Sequence, residues 1–341
     1  MDKQEFLSKL RAKLFGLPQK ELEERLSFYS EMIDDRIEEG LSEEDAVKEL
    51  GTVYEGEWQV SAEDPQEFIY EISEEFHNIN IDVLSADINL AKAKDNSCKV
   101  ICHNSRDNII LEVQNDTLQI RLPEKAQNNG QDIPAKNRMI TLYLPEREYG
   151  ALNINAPGGI QVSGSFHFDN IKLVSSLLIL CINITATDVE ISTSSGDIWI
   201  VGLTAEKIKF SSLSGDISAR VLKTDGDAEI ETDSGDINIQ NSKCNGLIAE
   251  TSSGDILLRD VIAVNNFSLQ SGSGDVKFDR CDAAEINVKT DSGDVQGNLL
   301  SEKEFICKAS SGKINVPGTV TGGKYSIETG SGDINIEIAE R

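Results

Sequence analysis

Histidine is scarce in this sequence, paired cysteine is missing and basic charge is in deficit. Its 3 histidines, His77, His103 and His167, lie far apart among ordinary strand residues, so they show no metal-ligand spacing and no pair for acid–base work. Its 6 cysteines, Cys98, Cys102, Cys181, Cys244, Cys281 and Cys307, include no Cys-x-x-Cys pair, which leaves neither a disulfide framework nor a metal-binding one. Lys and Arg number 32 against 59 Asp and Glu, for a net charge of −27. A surface that acidic repels phosphate backbones, which argues against nucleic acid as a partner, and it favours solubility. Long apolar runs are also missing: nothing approaches the ~20 residues of a membrane span. The run Leu177-Leu178-Ile179-Leu180-Cys181-Ile182 suits a buried strand, and the charged start Met1-Asp2-Lys3-Gln4-Glu5 has no apolar leader segment. These features predict a cytoplasmic chain without a transmembrane span, with envelope association arising through a partner, and with no cofactor.

What the sequence has in abundance is one tetrapeptide. Ser-Gly-Asp-Ile or a near copy centres on Gly196, Gly215, Gly235, Gly254, Gly274, Gly293, Gly312 and Gly332, at successive spacings of 19 or 20 residues. A period that regular signals stacked structural repeats. Overlaying the repeats places apolar residues in fixed columns. Seven before the glycine stand Val189, Ile208, Ala228, Leu247, Phe267, Ile286, Phe305 and Tyr325; two after it every residue is Ile or Val. Further columns fall five before and four after, with Thr, Ser or, once, Ala309 three before. The spacing of two marks strands with one buried face, and Ser192, Glu231, Glu250, Lys289 and Glu328 between them turn to water.

Strand, Ser-Gly-Asp corner, strand and a looser return make one coil of a solenoid. A sandwich would need hairpin signals such as Asn-Gly, and a propeller about twice this period. The predicted fold is therefore mainly β: a single-stranded β-solenoid, β-helix-like, of 19–20-residue coils stacked in series, about ten in all. Leu152, Ile154, Ile160 and Val162, then Ile171, Leu173, Leu180 and Ile182, read as two degenerate coils.

The chain opens differently, with a small α-helical bundle. Phe6, Leu7, Leu10 and Leu14 recur at helical spacing; Gly16-Leu17-Pro18 punctuates; Leu22, Leu26, Tyr29, Ile33 and Ile37 form a second stripe ended by Gly40. Ser42 caps a third helix with Asp45 in the capping-box position and Ala46, Val47 and Leu50 facing inward, closed by Gly51. Val53, Trp58 and Val60 suggest a further turn.

Lys3-Gln4-Glu5-Phe6-Leu7, Gly16-Leu17-Pro18, Tyr29 with Asp34-Asp35, Glu39-Gly40-Leu41-Ser42-Glu43-Glu44 and Glu49-Leu50-Gly51 together resemble the HAAS-type helical domain of bacterial envelope and signalling proteins. Ser85-Ala86-Asp87-Ile88, Leu118-Gln119-Ile120, Ile140-Thr141-Leu142-Tyr143-Leu144-Pro145 and the serial Ser-Gly-Asp-Ile repeats resemble the bacterial putative-adhesin β-helical domain, a family of unknown function. The expected division is residues 1–60 as the helical domain, 61–69 as a linker and 70–341 as the solenoid. The resemblances imply an envelope-related location and an architecture, and no reaction.

The acidic column Asp197, Asp216, Asp236, Asp255, Asp275 and Asp294, continued by Asp333, is the candidate site. Its structural reading is that each carboxylate accepts backbone or Ser hydrogen bonds while Gly supplies the φ of the corner. Its functional reading is calcium, as in β-roll repeats; those need a glycine-rich nonapeptide twice per coil, whereas this chain has one corner per coil and Lys313 in the acidic column. A carbohydrate-active β-helix enzyme would break the repeat with extra acids on an outward column. Three residues after the glycine that column reads Trp199, Ser218, Asn238, Leu257, Lys277, Gln296, Asn315 and Asn335, without an acid pair. Trp199 would stack on a sugar or pack against a neighbouring loop. The function expected is a non-catalytic interaction or scaffold protein, its first 60 residues docking a protein partner and its solenoid serving as binding surface or spacer, with carbohydrate or an envelope component as a possible ligand.

Overall fold

The computed structural model describes residues 67–103, 109–122, 138–318 and 321–339, with scattered positions among the first 47. The chain forms two compact units, Met1–Pro65 and Gln66–Arg341.

In the first unit, Phe6 meets Tyr29 edge-on at 6.1 Å, and Ile33, Ala46 and Val47 are buried. The expected cap is present: Ser42 Oγ accepts the Asp45 N–H at 3.2 Å and donates to Asp45 Oδ2 at 2.6 Å, opening a helix over residues 43–47. Residues 29–30, 32–34 and 36–37 are also helical. A bundle as such is not shown. The Gly16-Leu17-Pro18 break and the turn near Trp58 lie outside the described residues.

The second unit is one 23-stranded sheet wound into a solenoid. Its first part comprises β1 (Glu67–Ile72), β2 (Asn78–Val83), β3 (Asp87–Lys92), β4 (Cys98–His103), β5 (Ile110–Gln114), β6 (Thr117–Leu122), β7 (Met139–Leu144), β8 (Glu148–Ala156), β9 (Ile160–Ser175) and β10 (Ile179–Thr193). The regular coils follow as β11 (Ile198–Ala205), β12 (Lys207–Ser212), β13 (Ile217–Thr224), β14 (Asp227–Thr232), β15 (Ile237–Thr251), β16 (Ile256–Ser271), β17 (Val276–Cys281) and β18 (Glu285–Thr290). β19 (Val295–Leu299), β20 (Lys303–Ala309), β21 (Ile314–Asn315), β22 (Gly323–Thr329) and β23 (Ile334–Ile338) complete it. Strand β1 begins inside the stretch read as linker.

Parallel pairing sets each repeat on the next in the register the columns predict: Ile198 lies on Ile217, Ile217 on Ile237 and Ile237 on Ile256. The two degenerate coils obey it too, with Leu152 on Ile171 and Ile160 on Ile179. Each buried Ile or Leu contributes roughly 1.5–3 kcal/mol. The return is not loose. One residue per coil is left-handed there: Asn183 (φ 55°), Gly202 (71°), Val221 (57°), Asn241 (49°), Asp260 (53°) and Arg280 (50°). Such a residue re-aims the strand, so the alternation flips and a second pair of inward columns follows. Leu203 and Ala205, Leu222 and Thr224, Ser242 and Cys244, Val261 and Ala263, Cys281 and Ala283 are all buried.

Serial stacking fails at both ends. The last repeat does not sit outermost: β22 lies between β18 and β20, and β23 between β19 and β21. At the other end β2 lies between β6 and β8, and β3 between β7 and β9. In each case the coil at the chain end is tucked one rung inside its neighbour. The start also carries antiparallel pairs. β4 joins β7 and β1, while β5 and β6 form a hairpin through Asn115 and Asp116, both at positive φ. Asn-Asp between two alternating runs is the hairpin signal that sets β5 and β6 apart from the parallel coils.

Two outcomes test this register. Ile237, wholly buried, should not tolerate a carboxylate, so Ile237→Asp should cost roughly 4 kcal/mol or more, whereas Asn238→Asp, one residue outward, should stay within ~0.5 kcal/mol in denaturant unfolding. Val221 holds a β-branched side chain in the left-handed region at the surface, so Val221→Asn should raise stability by roughly 0.5–1 kcal/mol, read as a higher melting temperature.

Candidate functional site

The corner begins with a packing constraint. A Cβ on Gly215, Gly235, Gly254, Gly274, Gly293 or Gly332 would sit 1.9–2.1 Å from the carbonyl oxygen of the corner glycine one rung away. None of these six has a left-handed φ; in the series only the outermost, Gly312, does (146°). Glycine is therefore required by close approach of successive backbones, and the expectation that it supplies a special φ is corrected.

The buried hydroxyl three residues earlier ties the glycines together. Thr251 Oγ1 accepts the Gly254 N–H at 3.1 Å and donates to the Gly235 carbonyl at 3.0 Å. Thr232, Ser271, Thr290 and Thr329 repeat both bonds. Each hydroxyl satisfies one donor and one acceptor that the corner would otherwise bury unpaired.

The aspartates form a second ladder. Oδ1 of Asp197, Asp216, Asp236, Asp255 and Asp275 accepts the backbone N–H of the next aspartate at 2.7–2.9 Å. Asp294 accepts from Asp333 at 2.7 Å, and Asp333 from Lys313 at 2.7 Å. Lys313 thus occupies the last rung, where no further N–H waits for a carboxylate. An earlier relative, Asp87, accepts the Gly159 N–H at 2.8 Å; burial pushes its carboxyl up, and that hydrogen bond works against the rise. Lys277 Nζ lies 3.4 Å from Asp275 and 3.9 Å from Asp255, a cation supplied by the chain itself. Among the described residues no cluster of His, Cys, Asp and Glu could hold a metal ion.

Trp199 is not an exposed platform: only 3% of it is accessible, and its rung neighbour Leu180 is buried as well. The cysteines are poor nucleophiles. Burial pushes the thiols of Cys98 and Cys102 up to about 11 and those of Cys181, Cys244 and Cys281 up to about 12. His77 Nδ1 pairs with Asp116 at 3.0 Å and His103 with Glu67 at 3.5 Å.

A different surface is more open. On the outward face before the corner, a shallow trough of about 1010 Å³ runs across the rungs from Asn153 to Ile248. Along one column Lys172, Glu190, Lys209 and Glu229 alternate in sign from rung to rung. Lys172 meets Glu190 at 2.9 Å, Lys209 meets Glu229 at 2.7 Å, and beside them Lys207 lies 3.8 Å from Asp188. Lys209 holds the Glu229 carboxyl low, while burial and the Glu229 contact push Glu231 up. Six carboxylates against three lysines line the trough, so it is net acidic. Pairs this exposed contribute at most ~1 kcal/mol each and are free to exchange partners. The trough was missed in the sequence, although the alternation six residues before the glycine is visible there.

Residues 76–261 and 226–341 match the family model of Toastrack DUF4097, and residues 5–55 match HAAS. No curated protein matches the chain. Among solved structures it is similar to a putative adhesin from Bacteroides fragilis (13% identity, 81% of this chain and 98% of that one, TM-score 0.41) and to a putative lipid binding protein from Parabacteroides distasonis (17%, 80% and 97%, TM-score 0.41). A putative cell adhesion protein from Clostridium sporogenes is also similar, at 13% identity with a TM-score of 0.20.

With each Oδ1 already engaged by a backbone N–H, millimolar calcium should leave the melting temperature nearly unchanged. A saturable rise that disappears in the Asp236→Asn, Asp255→Asn double variant would instead assign the column to cation binding.

Proposed function

Because the chain belongs to the Toastrack DUF4097 family and carries a HAAS segment ahead of it, we propose that it is a non-catalytic interaction scaffold of the bacterial envelope-response type. In this reading residues 1–60 dock a protein partner, 61–69 link, and the solenoid from 70 onward offers a broad contact surface. The observation that carries it is the trough: wide, shallow, net acidic and lined by side chains in ion pairs that a partner's charges can replace. The groups that chemistry would need are committed elsewhere, the aspartates to backbone N–H groups and the thiols to the core. Among the described residues no helix is long and apolar enough to cross a membrane; in this reading envelope association runs through the partner.

The test is capture from an envelope fraction on the full chain. The expected result is a retained protein that is lost on deleting residues 1–60 and weakened roughly tenfold by Lys172→Glu with Lys209→Glu, since like charges then face each other across the rungs. Retention untouched by both changes, or polysaccharide cleavage by the purified chain, would overturn the proposal.

A further inference from the structure

The two ends of the solenoid are finished differently. At the start, antiparallel strands β4 and β5 continue the sheet beyond the outermost coil. At the other end, among the described residues, β20 pairs only with β22 and β21 only with β23. The outermost coil therefore has an open edge and an uncapped core. Ile314 is 47% exposed, whereas Ile198, Ile217, Ile237, Ile256, Val276 and Val295 in the same column are wholly buried. Phe305, Cys307 and Ala309 are half-buried where their column-mates are closed over, and Ile306 on the outer face is 55% exposed. A flat, apolar strand edge of this kind is a template for another strand.

The direction of its free groups follows from one hydrogen bond. Ser310 N–H donates to the Thr329 carbonyl at 3.1 Å. Backbone groups alternate sides along a strand, so Glu304, Ile306 and Lys308 bond to β22, and the N–H and C=O groups of Phe305, Cys307 and Ala309 face the open edge. The strand sequence Lys303-Glu304-Phe305-Ile306-Cys307-Lys308-Ala309 is self-complementary when laid antiparallel on itself about Ile306. Glu304 then opposes Lys308, Phe305 opposes Cys307, and Ile306 opposes its own copy. Phe305 and Cys307 become hydrogen-bonded pairs in that register, as their edge-facing groups require. Moving the axis by one residue sets Glu304 opposite Ile306 or Ser310 and loses both ion pairs.

We propose that this edge is a homodimer interface, in which β20 of two copies of the chain pair antiparallel across a two-fold axis at Ile306 and merge the two exposed core ends. Such a contact is isologous and closes at two copies. The opposite end also leaves strand edges, on β1 and β5, but those strands carry only acidic charges and so lack the self-complementary register.

Sedimentation and light scattering of the full chain should give twice the chain mass. Ile306→Asp should give one chain that still unfolds in a cooperative transition, because that side chain is at the surface of the chain itself, with the melting temperature lowered only by the stabilisation that association supplied. Glu304→Lys should weaken association on the order of tenfold, and Glu304→Lys with Lys308→Glu and Glu328→Lys, which reverses the Lys308–Glu328 pair on the neighbouring strand as well, should restore it. In a Cys307→Ala background, Ile306→Cys should form a reductant-sensitive dimer under mild oxidation, since residues directly opposed in a non-hydrogen-bonded antiparallel pair lie ~4.5 Å apart at Cα, within disulfide reach. A single-chain mass at every concentration, polymers that lengthen with concentration, or a dimer in which Ile306→Cys forms no cross-link would each overturn the proposal.

Discussion

Everything in the solenoid depends on corner backbones meeting at one strand spacing. Parallel coils place each turn directly over the last, so the corner peptides of neighbouring rungs come close enough that a methyl group cannot fit between them. Glycine removes the clash. The same closeness buries N–H and C=O groups that no strand partner reaches, and the Ser or Thr hydroxyl and the Asp carboxylate take them up. Three residue types at one corner thus solve one steric and two hydrogen-bonding problems, and the repeat recurs because every rung poses them again. Stability in such an array is nearest-neighbour in character, since each coil satisfies only the rungs it touches.

This explains which parts of the fold were readable from residues alone. The flanking columns were legible because inward and outward positions alternate without interruption from Ile208 to Ile217 except at the corner itself. The second pair of columns was not, because a single left-handed residue reverses the parity and its type is not constant: Gly202, Asn183, Asn241 and Asp260 favour that conformation. Val221 and Arg280 occupy the same conformation with side chains that argue against it. The exchanged end coils did leave a trace. The seventh repeat alone replaces the corner acid by Lys313 and the hydroxyl by Ala309, and it is the repeat that ends the stack.

The candidate site divides in the same way. The acidic column was visible as a column, and its structural reading needed only the geometry of stacked corners; the ladder from Asp197 to Asp333 supplies that geometry through backbone donors. Trp199 could not be placed, because a residue that points away from one core is buried or bare according to what lies over that face. The trough escaped notice for a further reason. Lys172, Glu190, Lys209 and Glu229 are unremarkable surface residues taken singly, and acquire a common surface only when pairing sets them rung on rung.

The tucked end coils carry a consequence for how the molecule can vary in length. β2 and β3 are paired on both sides, as are β22 and β23, so the chain enters and leaves the regular stack from occupied rungs. A repeat appended after β23 would find no vacant edge beside it. A repeat duplicated between Gly196 and Gly293 would find a glycine, a hydroxyl and a carboxylate above and below, in the register it was built for. The solenoid is extensible from its middle, and the edge left open at its far end belongs to β20 and β21 rather than to the strands that finish the chain.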